Sequence, residues 1–145
     1  MISDNIKVTG DVSIKVFGRD GALKDSREIK NLVVTTGKGF IASRMVSSTT
    51  QMSHMAIGSN NTAAAAADTA LGTELGRVSL ASSGAAANVV TYVASFPAGT
   101  GTGAVVEAGL FNAASAGTML CRTVFSVVNK GADDAMSITW TVTVS

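Results

Sequence analysis

Apolar and polar residues alternate along much of this chain, and that spacing predicts strands. In Val12-Ser13-Ile14-Lys15-Val16 every second residue is apolar, which gives one buried and one wet face. Arg19-Asp20-Gly21 supplies turn chemistry, since glycine accepts a positive φ. Ile29 to Val34 closes a second strand, so residues 1–34 read as a charged N-terminal hairpin. The period then changes. Between residues 35 and 46, Phe40, Ile41, Arg44 and Met45 fall at helical spacing behind a threonine able to cap, and a short helix is expected despite Gly37 and Gly39.

Alternation resumes in Met52-Ser53-His54-Met55-Ala56-Ile57-Gly58. The alanine run Ala63 to Ala67 is too short for a stable isolated helix and reads as a surface loop ending in a turn at Asp68–Leu71. Further strands are expected at Leu75–Ala81, Asn88–Phe96, Ala104–Phe111, Thr118–Phe125 and Met136–Val144. Asn129-Lys130-Gly131 reads as a turn, and the run Gly99 to Gly103 as a flexible connection. About eight strands and one short helix point to an all-β fold, a jelly roll or a β-sandwich, with residues 1–145 forming one domain and 52–145 carrying the remaining strands.

Composition narrows the chemistry. Eleven basic and ten acidic residues leave a net charge of +1, which makes no electrostatic case for nucleic acid or an anionic membrane. Residues 1–44 hold 13 of the 21 charges, so the rest of the chain is sparsely charged. Such a surface suits either close packing with neighbours or an uncharged Ser/Thr/Asn-rich exterior. One histidine and one cysteine cannot build a four-ligand zinc site, and a lone cysteine cannot form an intramolecular disulfide. The uncharged interval Val78 to Val106 is broken by Ser82-Ser83-Gly84, Pro97 and glycines, so it predicts no spanning helix. Residues 1–7 lack the basic start and apolar core of a signal peptide, and the expectation is a chain made in a reducing cytoplasm.

Few residues stand out as candidates for chemistry. His54 sits in an alternating strand without an acidic neighbour and reads as structural. Cys121 has only Arg122 beside it to activate a thiolate and reads as a small strand residue. Thr35-Thr36-Gly37-Lys38-Gly39 lacks the spacing of a phosphate loop. Asp133-Asp134 has too few oxygens nearby for calcium and reads as a solvated turn. No catalytic, cofactor-binding or metal site is expected. Glu107 and Arg122 are more informative, because each is an isolated charge inside a predicted strand. If those strands form a hairpin, the two side chains can pair and fix its register.

Several stretches resemble small structural proteins of tailed bacteriophages. They begin at Asn31-Leu32-Val33-Val34-Thr35-Thr36-Gly37-Lys38-Gly39-Phe40-Ile41-Ala42 and continue through Met55-Ala56-Ile57-Gly58 and Thr69-Ala70-Leu71-Gly72-Thr73-Glu74. The likeness is firmest at Glu107-Ala108-Gly109-Leu110-Phe111-Asn112, then Gly117 to Phe125, Val128-Asn129-Lys130-Gly131 and Ile138-Thr139-Trp140-Thr141-Val142. Size and inferred fold look most like a capsid cement, or decoration, protein. That resemblance implies many copies on the outer surface of the virion head, the major capsid protein as partner, self-association as a homodimer or other homo-oligomer, and no enzymatic residues. A tail-fibre, neck or other tail-associated subunit is the alternative. A glycan-binding sandwich would need exposed aromatic platforms, whereas the alternation around Trp140 places that ring in the core.

Overall fold

The computed structural model describes residues 5–145. The first four residues of the expected N-terminal hairpin lie outside the described residues. The fold is all-β with one short helix. Nine strands follow in chain order: β1 (Val8–Phe17), β2 (Leu23–Val33), helix α1 (Thr35–Arg44), β3 (His54–Gly58), β4 (Glu74–Ser79), β5 (Ser82–Ala86), β6 (Val89–Phe96), β7 (Gly103–Phe111), β8 (Met119–Lys130) and β9 (Ala135–Val144). All pairings are antiparallel, in the order β4-β3-β7-β8-β2-β1-β9-β6-β5.

One sheet therefore makes both layers, and β2 is its corner. Residues from Leu23 to Asn31 pair with β1, whereas only Leu32 and Val33 pair with β8, opposite Arg122 and Cys121. Past that short join the two halves splay and fold over each other. Their inward residues meet in one cluster: Val12, Ile14, Val16, Phe96, Met136, Ile138 and Trp140 from one half, Met55, Ile57, Val105, Leu110 and Val128 from the other. The alternation read along β1 and β9 is the alternation seen, with Val12, Ile14, Val16, Ile138 and Trp140 at most 1% exposed. Burying each large apolar side chain contributes about 1.5–3 kcal/mol, which makes this face the main support of the fold.

Several expectations are corrected. β5 was not foreseen, because Ser-Ser-Gly-Ala-Ala has neither alternation nor β-branched residues; it exists because β6 offers it a pairing edge. The turn expected at Asn129-Lys130-Gly131 starts later, since β8 runs to Lys130 and that side chain is 1% exposed. The loop turn falls at Ala65–Asp68, where the Asp68 N–H donates to the Ala65 carbonyl. Gly99 and Gly101 do take positive φ (85° and 69°), but Gly101 is buried against Ile57, so this connection is a packed turn.

The helix ends at Arg44, and no threonine caps it. Val34 occupies the N-cap, the Thr35 N–H donates to the Ala66 carbonyl of the β3–β4 loop, and the Thr36 hydroxyl donates to the Met119 carbonyl at 3.1 Å. Gly37 lies against the backbone of Leu120, where any Cβ would overlap the carbonyl. The Thr-Thr-Gly-Lys-Gly stretch is thus a seat for the helix on β8. Phe40 and Ile41 pack against the core, but Met45 lies beyond the last turn and is 84% exposed.

Candidate functional site

The β7–β8 hairpin places Glu107 and Arg122 two residues apart on the diagonal, with Glu107 opposite Val124 and Arg122 opposite Gly109. Both point to the same side, under the β3–β4 loop. Arg122 Nε and one terminal nitrogen donate to Glu107 Oε1 at 3.1 and 3.0 Å. Glu107 is 0% exposed and Arg122 3%. A buried charge is tolerated only when paired and hydrogen-bonded, and this pair is surrounded by further partners.

Those partners come from one loop. Glu107 Oε1 also accepts the Gly72 N–H, and Oε2 accepts the N–H groups of Asn60 and Thr73, all at 2.9 Å. The other terminal nitrogen of Arg122 donates to Asp68 at 2.9 Å, and the nitrogen that meets Glu107 also reaches the Thr62 carbonyl at 3.1 Å. Asp68 in turn accepts the Ala65 N–H at 2.8 Å. Two strand side chains thereby hold both ends and the middle of the loop between Gly58 and Glu74. Gly58 is required here, because a Cβ on it would run into the Thr73 carbonyl and the Glu107 carboxylate.

What this constellation can do is hold. Five N–H donors occupy the Glu107 carboxylate, and no solvent-accessible surface is left on it. The loop above it is mostly exposed and rich in alanine, from Ala63 to Ala67 and Ala70. Two open clefts flank Arg122, of about 200 Å³ beside Asp68 and Gly72 and about 350 Å³ beside Asn31 and Ala63.

The other singled-out residues stay apart from this cluster. His54 takes hydrogen bonds with Ser53 Oγ at 2.8 Å and Ser79 Oγ at 3.4 Å, and no carboxylate among the described residues bonds to it. Cys121 is fully buried, and burial pushes its thiol up to about 12, away from thiolate chemistry. Asp133 is exposed, but Asp134 is 5% exposed and not a solvated turn residue. Asp134 accepts from Lys24 at 2.8 Å and from the Gly131 N–H at 2.8 Å, and these bonds hold its carboxyl below the usual carboxylate range. Lys130 beside it donates to the carbonyls of Pro97 and Asp134 at 2.9 and 2.7 Å, and burial lowers its pKa.

Sequence reading missed Asp68 and this second cluster. Asp68 carried the same signal that marked Glu107 and Arg122, an isolated charge in an uncharged stretch, but its position in a loop hid it. Asp134 and Lys130 gave no such signal, because their burial depends on how two hairpins meet. Among the described residues, no group of three metal-ligating side chains gathers, and no helix is long and apolar enough to cross a membrane.

No protein-family model, curated protein or solved structure matches this chain.

Proposed function

We propose that this chain is a structural protein of a phage virion that cements the head from outside, binding the major capsid protein and a second copy of itself. The observation that carries the reading is the use of Glu107 and Arg122. A burial cost is spent on fixing one mostly exposed, alanine-rich loop whose single charge, Asp68, is itself paired with Arg122, as a docking surface requires and a mere connection does not. A rigid loop of small side chains fits closely against a partner and loses little entropy in doing so. Individually modest contacts suffice on a lattice that presents the partner many times over. The resemblance of the segments from Asn31 to Val142 to phage structural proteins supports the same reading, as does the sparse charge after Arg44.

The test is the abundance and location of the chain in purified particles, by quantitative mass spectrometry and electron microscopy. Cement predicts copies in numbers comparable to the major capsid protein, located on the head, and heads that rupture more easily without it. A few copies confined to fibre or neck would replace this reading with a tail-associated one. Absence from particles would overturn both.

A further inference from the structure

The two ends of the sheet are built differently. At one end, β4 carries Glu74 and Arg77, its pairing with β3 is interrupted by a bulge at Ile57/Gly58, and Gly76 backs onto the chain at Thr100–Gly101. Charge, irregularity and cover are the usual means of keeping a strand edge from pairing with another chain. The splayed outer edge of β2 is also guarded, with Lys24, Asp25, Arg27, Glu28 and Lys30 along it. Arg27 reaches across to the carbonyls of Ser126 and Val127 on β8.

At the other end, β5 has none of these devices. All five of its residues are exposed, its pairing with β6 runs unbroken from Ser82↔Val93 to Ala86↔Val89, and no charged residue lies between Arg77 and Glu107. Alternate residues of such a strand turn their N–H and C=O groups outward, unpaired. The strand is also held in place. Ala87 at the hairpin tip has φ 54°, and Asn88 beside it donates its side-chain amide to the Val144 carbonyl at 2.8 Å. A second feature lies alongside. A crevice of about 270 Å³ joins Ser83, Gly84 and Ala85 to the end of α1 at Arg44, and the next residues, Met45 and Val46, are 84% and 89% exposed. Two large exposed apolar side chains just past the helix end add to the apolar surface that an assembly would cover.

We infer that a second copy of this chain pairs with β5, antiparallel and edge to edge, about a two-fold axis through Gly84. A two-fold axis perpendicular to the strand sets identical strands antiparallel. It places Ser82 opposite the partner's Ala86, Ser83 opposite the partner's Ala85, and Gly84 opposite its own copy. Within β5 itself no like charges meet and no bulky side chain intrudes, so the strand edge complements itself, with Arg44 in the crevice alongside it. The inference specifies the self-association in the reading above and does not depend on capsid binding.

The test introduces charge where the monomer has room for it. The Ser82, Gly84 and Ala86 side-chain positions are exposed, and a Cβ on Gly84 meets nothing within 4 Å. Sedimentation is measured for the wild type, for Ser82→Lys/Gly84→Lys/Ala86→Lys, for the matching triple Glu variant, and for an equal mixture of the two. The expected result is a wild-type dimer, each variant weakened about tenfold or more with unchanged circular dichroism, and a dimer restored on mixing. A wild-type monomer or trimer, or variants that dimerise like the wild type, would overturn the inference. Hydrogen exchange on the wild type tests it without any variant: β5 amides must slow as concentration rises, and amides that ignore concentration overturn it. A dimer that fails to bind heads would sink the cement reading alone, and a monomer that binds them would sink this one alone.

Discussion

Glu107 shows how a single buried carboxylate can organise a long loop. Its charge is worth burying only while Arg122 and three backbone N–H groups face it. Arg122→Ala therefore leaves an unpaired buried charge and is expected to cost about 3–5 kcal/mol in urea unfolding. A cycle of Glu107→Gln, Arg122→Met and the double variant should give a coupling of order 1–3 kcal/mol. A coupling near zero would mean the pair does not hold the hairpin. In hydrogen exchange, the amides of Asn60, Gly72 and Thr73 should open first in Glu107→Gln. The isolation of Glu107 and Arg122 in uncharged strands was legible along the chain. The three amides were not, because they arrive from a loop whose path the strands themselves determine.

At the level of elements, α1 is set by its glycines as much as by its apolar residues. Gly37 is buried under the Leu120 backbone, whereas Gly39 has nothing within 4 Å of its Cβ position. Two changes identical in kind should thus differ in sign. Gly37→Ala should destabilise by about 1–3 kcal/mol through overpacking. Gly39→Ala should stabilise by up to about 1 kcal/mol, the helix-propensity gain of alanine. Thermal unfolding of the two variants checks both, and equal effects would contradict the seating of α1 on β8. A helix here was readable from Phe40 and Ile41. The asymmetry between the glycines was not, since it depends on a strand about 80 residues away in sequence.

For the molecule as a whole, the Lys24–Asp134 bond ties the β1–β2 hairpin to the β8–β9 turn. Lys24 above all, then the Gly131 N–H, lowers the Asp134 pKa from its ordinary carboxylate value. A carboxyl whose pKa is lowered on folding contributes stability above its unfolded value and loses it as pH falls through the folded one. Asp134→Asn should thus unfold at lower urea than the wild type near neutral pH, and the gap should narrow as pH drops below about 4. A gap that stays constant with pH would assign the effect to hydrogen bonding alone. The β1–β9 pairing extends beyond both strands, with Lys7 and Ser145 exchanging backbone hydrogen bonds at 2.6 and 2.8 Å.

Period and isolation are properties of neighbouring residues, which is why they could be read directly. Alternation along β1 and β9 dictated which residues enter the core, because a strand with one apolar face has only one way to bury it. Two lone charges in uncharged strands announced a pair. Closure of the sheet was different. That β2 passes from β1 to β8 at Asn31–Leu32, that Ser82–Ala86 becomes a bare edge, that Asp134 is buried and that Asp68 meets Arg122 all follow from contacts between distant segments. Such contacts form only when the halves of the sheet pack, since neither the free energy of burial nor the geometry of an edge exists before there is a partner surface.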